Sequence, residues 1–354
     1  MHETDVFPAK PMKPRDDSMR ATAPCPAAGE IVLPPEYRVL QKSVPFFIPG
    51  FEKQRYPQCF AFAPETVECD AWFERFTGRV LQAVGSAYLP VCRMSDGEFL
   101  LLFGYQSPSV RHPVLRRWKI RLSQTRHLIR QRIVGFQAQT APGVSSGAMS
   151  HAERKAFVPT LSSQYLEIAR DGILALHLGY APTPFQEQYF PAVRKWLTQH
   201  NVTLTLDNYV PFYFVYGLLR GPVFSDLVGG RRVLIVHSAT GAKREAITRS
   251  IQAASPRGIE WLTISPSRSF ADTLDLSQLQ DKPDLCLLGG GVGKSALFPQ
   301  LRPLGIPCLD AGFSFEVWAD PEKQWDRPYM SPDSFFDPSR VRFGSAADRR
   351  QMRS

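Results

Sequence analysis

No apolar run in this sequence reaches the ~20 residues that a membrane-spanning helix needs. Even the aromatic stretch YVPFYFVYGLL covers only residues 209–219. The six cysteines (Cys25, Cys59, Cys69, Cys92, Cys286 and Cys308) form no C-x-x-C pair and show no zinc-type spacing to histidine, which argues against a zinc ribbon or a dithiol redox motif. Cys286 and Cys308 sit inside apolar runs, where a free thiol behaves as a small buried hydrophobe, so a reducing compartment is expected. The first twenty residues, MHETDVFPAKPMKPRDDSMR, contain no apolar segment of the signal-peptide kind. A cytoplasmic location is the expectation. No internal repeat is present, which sets solenoid and propeller architectures aside.

What the chain does have is size, proline and positive charge. Its 354 residues, 31 prolines and formal net charge of +9 allow a substantial core and favour anionic partners such as nucleotide diphosphates or phospholipid surfaces. Residues 1–30 read as a flexible polar tail, 31–70 as an irregular arm of alternating prolines and aromatics, 71–330 as the main domain, and 331–354 as a basic tail. The segment RHPVLRRWKIRLSQTRHLIRQR (111–132) holds eight Lys or Arg and no acid. It reads as an amphipathic helix with a solvated basic face, or as a surface for phosphate-bearing substrates or peripheral contact with an anionic inner membrane face. It lacks the interleaved stacking aromatics of a nucleic-acid channel, so no nucleic acid is expected.

Strand-like and helix-like stretches alternate through the main domain. AWFERFTGRVLQAV (71–84) has helical spacing and AYLPVCRM (87–94) reads as a strand. ILALHLGYAP (173–182) is a strand entering a loop, and RRVLIVHSATGAKREAITRSIQ (231–252) a strand, loop and helix. This order predicts an α/β, Rossmann-like, doubly wound and mostly parallel sheet, whose ligands sit at the carboxyl ends of the strands.

LCLLGGGVGKSALF (285–298) tests one motif directly. A Walker A loop places four residues between its glycines, but the position that should be the first glycine is Leu288. An ATPase reading fails on spacing. Gly291-Val-Gly293-Lys-Ser-Ala296 fits G-x-G-x-x-A instead, between an apolar strand and a helix, with Asp310 following 19 residues after Gly291. That is close to dinucleotide-binding spacing, in which glycines admit a pyrophosphate and the acid meets a ribose. Read alone, the loop is equally a tight β-to-α turn. Ser238, Thr240 and Lys243 in HSATGAK are further phosphate candidates, or a simple helix cap.

CRMSDGEFLLLFG (92–104) brings Asp96 and Glu98 to a strand end. An Asp-x-Glu turn can offer two carboxylates to one hard cation; it can also be an ordinary solvated turn. This stretch resembles the R-x-G-D-G-E signature of the GT-D type glycosyltransferases, a bacterial family of Rossmann-like enzymes. DLCLLGGGVGKSALFPQLRPLGIPCLDAGFSFEVW resembles their later glycine turn, helix and D-I-G segment. The resemblance spans residues 71–330. It implies a nucleotide-diphosphate sugar donor, a glycan or glycoconjugate acceptor, and a divalent metal (Mn²⁺ or Mg²⁺) held by Asp96 and Glu98. It also implies donor contacts from Arg93, Gly289, Gly291, Gly293 and Asp310. Ser95 replaces the motif's first glycine. Phe313 stands where relatives often carry His or Ser, passing any such role to Ser314 or to Glu316, the preferred acceptor base. Two alternatives stay open: an NAD(P)-dependent oxidoreductase built on the glycine loop and Asp310, and a catalytically degenerate nucleotide-sugar-binding protein.

Overall fold

The computed structural model describes residues 33–34, 36–42, 59–103, 151–178 and 184–326. The expected tails at 1–30 and 331–354 and the basic run at 111–132 lie outside the described residues. Within the expected arm, β1 (Tyr37–Lys42) pairs antiparallel with β2 (Cys59–Pro64).

The body is a seven-stranded sheet, parallel throughout. In chain order its strands are β3 (Leu89–Met94), β4 (Ile173–Leu176), β5 (Tyr209–Pro211), β6 (Arg232–His237), β7 (Gly258–Thr263), β8 (Leu285–Gly289) and β9 (Pro307–Asp310). In space they run β5-β4-β3-β9-β8-β6-β7. β3, β4 and β9 are buried along their whole length. That matches the near-continuous apolar composition of a parallel strand covered on both faces. β7, at one edge, is mostly half-exposed. The other edge is covered by the hairpin: the Phe62 amide donates to the Tyr209 hydroxyl at 3.2 Å.

Helices cover both faces. On one lie α2 (Asp96–Phe103), α3 (His151–Asp171), α4 (Pro184–Gln199) and α8 (Lys294–Leu301). On the other lie α1 (Cys69–Ala83), α5 (Phe212–Arg220), α6 (Val223–Val228), α7 (Gly241–Gln252) and α9 (Ser314–Ala319). The division follows from the right-handedness of parallel crossovers: moves toward β5 carry their helices on the first face, and moves toward β7 on the second. α1 buries one stripe (Trp72, Phe73, Phe76, Val80), as its spacing predicts. Trp72 and Phe73 both set their ring edges against Phe214 of α5, with centroids 5.3 Å apart. α5 itself is buried from Phe212 through Leu219, so it sits as a core element under the sheet.

Two consequences position the site. β6 leads through α7 to β7 while its neighbour β8 leads through α8 to β9 on the opposite face, which makes the β6/β8 boundary a topological switch point. And β3 lies directly beside β9, so the first motif segment ends next to the last. Among the described residues no helix is long and apolar enough to cross a membrane.

Candidate functional site

The carboxyl ends of β3 and β9, with the start of α8, carry four charged side chains that are almost fully buried. Arg93 is 5% exposed, Glu98 3%, Lys294 4% and Asp310 1%. Arg93 reaches across from β3 to β9: its Nη2 donates to Asp310 Oδ1 at 2.8 Å, its Nε to the Asp310 carbonyl at 2.9 Å, and its backbone amide to Asp310 Oδ2 at 3.2 Å. The guanidinium lies over the Tyr216 ring, 4.4 Å from its centroid, and 5.2 Å from that of Phe212. The aromatic run at 209–219 therefore serves as the platform for this arginine, a cation–π contact strengthened by desolvation.

Lys294 joins the two carboxylates. Its Nζ is 2.6 Å from Glu98 Oε1 and 2.9 Å from Asp310 Oδ2. The other Glu98 oxygen, Oε2, accepts the Ser95 amide at 2.9 Å and the Ser95 hydroxyl at 3.2 Å. Two cations thus face two anions. The balance matters because each isolated buried charge would cost several kcal/mol of desolvation. Burial works to raise the Asp310 carboxyl, but Arg93 and Lys294 outweigh it; burial and Arg93 work to lower the Lys294 ammonium, but Asp310 and Glu98 outweigh them. Asp310 is held below the usual carboxylate range and Lys294 above the usual amine range.

This arrangement revises several expectations. D-G-E is not a loop turn: Asp96, Gly97 and Glu98 open α2, and the Phe99 amide donates to the Ser95 carbonyl at 2.9 Å. Ser95-x-x-Glu98 is one half of a capping box, with Glu98 reaching back to the Ser95 amide. The Asp96 side chain lies outside what the structure describes. Glu98, expected as a metal ligand, has both oxygens bonded within the protein, and an ammonium group stands beside it where a cation would sit. Its Oε1 holds one bond, to Lys294, and its Oε2 two, to Ser95. Arg93 and Asp310, expected to touch a donor, are buried and bonded to each other.

The glycine loop also turns inward. A Cβ on Gly293 would come within 2.3 Å of the Phe270 amide nitrogen and the Ser269 hydroxyl, and Ser269 Oγ donates to the Gly290 carbonyl at 2.6 Å. The close approach that these glycines permit is to the chain's own 269–270 segment. Gly291 takes the left-handed backbone (φ 54°) at the head of the turn. Gly289 leaves room for His237 and Phe315, whose atoms would lie 2.5–2.7 Å from a Cβ there.

The more open groups lie across the switch point. Thr240 precedes α7 in extended backbone and makes no side-chain cap, so the capping alternative for it does not hold. Thr240 is exposed and Ser238 half-buried. Lys243 Nζ pairs with Glu316 Oε1 at 2.6 Å, with side-chain exposures of 34% and 19%. Of the two residues expected to take over a role vacant at Phe313, Ser314 is fully buried and out of reach, which leaves Glu316. His237 closes the strand end: its Nδ1 accepts the Ala239 amide at 2.9 Å and its ring packs 4.4 Å from that of Phe315.

Burial, with Lys243 nearby, lowers the His237 pKa to about 4. The folded state therefore resists a proton that the unfolded chain, with an ordinary value near 6.5, accepts. Stability is fully present above about pH 6.5 and falls as pH drops toward 4, by about 3 kcal/mol in all. Urea unfolding from pH 7.5 to 4 is expected to show this slope, and His237→Gln to flatten it. An unchanged slope in that variant would remove His237 as its source.

Two members of the centre carry no signal of their role in the sequence. Lys294 reads there only as a Walker A lysine, and the Arg93 platform on Tyr216 and Phe212 is not visible at all. The S-x-x-E capping signature is legible and points to a helix. Nothing in the local letters shows that Lys294 points into the sheet.

No protein-family profile matches the chain, and no curated protein matches it significantly. A solved structure described as a selenomethionine-substituted domain of unknown function 1792 is similar over 78% of this chain and 97% of its own, at 13% identity and a TM-score of 0.35. At that level the likeness assigns neither family nor activity.

Proposed function

We propose that this chain transfers a sugar from a nucleotide-diphosphate donor to a hydroxyl of a glycan or glycoconjugate acceptor. The observation that carries the reading is the convergence of the two motif segments. Arg93 and Glu98 from one meet Lys294 and Asp310 from the other in a single hydrogen-bonded cluster at the carboxyl ends of adjacent strands. The resemblance to the GT-D type transferases rests on these same segments, and their meeting supports one composite site.

The chemistry follows from the open groups nearby. In the transfer, the bond from the anomeric carbon to the phosphate oxygen breaks and its electron pair leaves with the diphosphate. A bond to the acceptor oxygen forms, and the acceptor hydroxyl gives up its proton. The departing charge needs donors, which Ser238, Thr240, the first amides of α7 and Lys243 would supply. An arriving diphosphate competes for Lys243 and frees Glu316 to take the proton as general base. The cation site expected of Asp96 and Glu98 has no part in this proposal, because Glu98 is already bonded on both oxygens.

The oxidoreductase alternative requires Asp310 to meet a ribose. At 1% exposure, and bonded to Arg93 and Lys294, Asp310 is not placed to do so. A panel of UDP-, GDP- and dTDP-sugars, with NADH as the comparison, tests the reading by thermal shift and turnover. One donor is expected to raise the melting temperature and turn over. Lys243→Met should weaken donor binding roughly 10-fold or more, and Glu316→Gln should keep binding but lose roughly 10²–10⁴ in rate. A shift with NADH and none with any sugar nucleotide would sink the proposal. Binding without turnover would leave the degenerate alternative standing.

A further inference from the structure

We infer that the Lys294 ammonium is the resident cation of the β3/β9 centre: it occupies the position between Glu98 and Asp310 at which an acidic pair would otherwise bind a divalent metal, so this centre takes no metal ion. The inference deepens the transferase reading, on which it rests for the expectation that an Asp-x-Glu motif holds metal. Its evidence is local. One ammonium nitrogen lies 2.6 Å from an oxygen of Glu98 and 2.9 Å from an oxygen of Asp310. These are the distances of charge-assisted hydrogen bonds, whereas Mg²⁺ holds oxygens at about 2.0–2.1 Å and retains several waters.

Charge and space agree with that assignment. Arg93 and Lys294 together balance Glu98 and Asp310, so a divalent ion added to the cluster would leave two uncompensated positive charges in a buried site. With Arg93, Glu98, Lys294 and Asp310 each at 5% exposure or less, these four described side chains offer little solvent-facing surface for the waters that a hard cation keeps. The second Glu98 oxygen, bonded to the Ser95 amide and hydroxyl, is likewise withheld. Lys294 is also the first residue of α8, directly after the glycine turn, so the loop that resembles a phosphate cradle instead delivers a fixed positive charge to the sheet.

Removing the lysine side chain should open the position between Glu98 and Asp310 to a divalent ion. Lys294→Ala is expected to melt about 10 °C below the wild type. It should regain most of that difference with Mn²⁺ or Mg²⁺ but not with K⁺ at matched ionic strength. The double variant Lys294→Met/Glu98→Gln removes one charge of each sign, keeps the Arg93–Asp310 pair, and should remain folded and indifferent to Mn²⁺. Wild-type protein, titrated with Mn²⁺ and followed by electron paramagnetic resonance, should show no bound ion that the double variant lacks. One Mn²⁺ per wild-type chain, absent in the double variant, would overturn the inference. So would a folded Lys294→Ala protein that gains nothing from either metal. If Lys294→Ala does not fold, the wild-type and double-variant titrations decide alone. All of these readouts are binding or melting, so a failure of the transferase reading, which shows in donor turnover, stays distinguishable.

Discussion

Asp310→Asn is expected to lower the unfolding free energy by about 3–5 kcal/mol, the scale for breaking a buried ion pair by removing one partner. Against a typical domain stability of about 5–15 kcal/mol, that is a large fraction. Asn keeps the shape of Asp, and its carbonyl oxygen can still accept one bond. What it loses is the charge that balances Arg93 and Lys294, leaving two buried cations with Glu98 as the remaining anion. The surface pair Arg302–Asp171, exposed to 45% and 39%, supplies the control: Asp171→Asn should cost about 0–1 kcal/mol, since solvent screens it. Urea unfolding of both variants makes the comparison. Equal costs would mean that the buried cluster contributes no more than a surface contact. The acid limb provides a second reading of the same residue. With its folded-state value held below the usual 3.8, Asp310 contributes stability at neutral pH that is lost as pH falls through 3.8 and below. Asp310→Asn should show less of that loss.

Gly312→Ala is expected to cost about 3 kcal/mol or more, although it adds only one methyl group. Gly312 has a left-handed backbone (φ 42°), and a Cβ built there would lie 1.5 Å from Arg93 Nη2. The backbone strain accounts for roughly 1–2 kcal/mol. The rest comes from pushing the buried guanidinium off Asp310 and off the Tyr216 face. Gly305 separates the two effects. It is also left-handed (φ 62°), but a Cβ placed on it would meet nothing within 4 Å. Gly305→Ala should show the strain alone. If chemical denaturation gives both alanine variants the same loss, the contact between Gly312 and Arg93 carries no weight.

The layout of the fold is legible because it is written in local periodicity. The apolar runs at 87–94, 173–176, 231–237 and 285–289 contain β3, β4, β6 and β8, and their alternation with helices is enough for a doubly wound parallel sheet. The aromatic run at 209–219 is harder. Pro211 divides it into the short β5 and the buried α5, and no polar face marks the helix. The site is legible as a set of segments but not as a set of roles. Arg93, Glu98 and Asp310 read as ligand-facing in the sequence, and they do come together. Whether a charged group faces a ligand or another side chain depends on which strand lies beside it. The β3/β9 pairing joins residues 89–91 to 307–309, and no local pattern encodes that adjacency. Lys294 illustrates the same limit: a lysine after a glycine turn reads as a phosphate contact until a buried Glu and Asp are found to either side of it.

The same pairing has a consequence for how the protein is made. β3 is flanked by β4 on one side and by β9, the last of the described strands, on the other, with roughly 200 residues of chain between Met94 and Pro307. At about 5–20 residues per second, synthesis leaves β3 waiting about 10–40 s for its second neighbour. Throughout that interval a nascent chain carries an open apolar strand edge, together with Arg93 and Glu98 still without Asp310 and Lys294. Until β9 emerges, the β5-β4-β3 half of the sheet ends on β3, so its open edge is a place where a wrong strand could pair during synthesis.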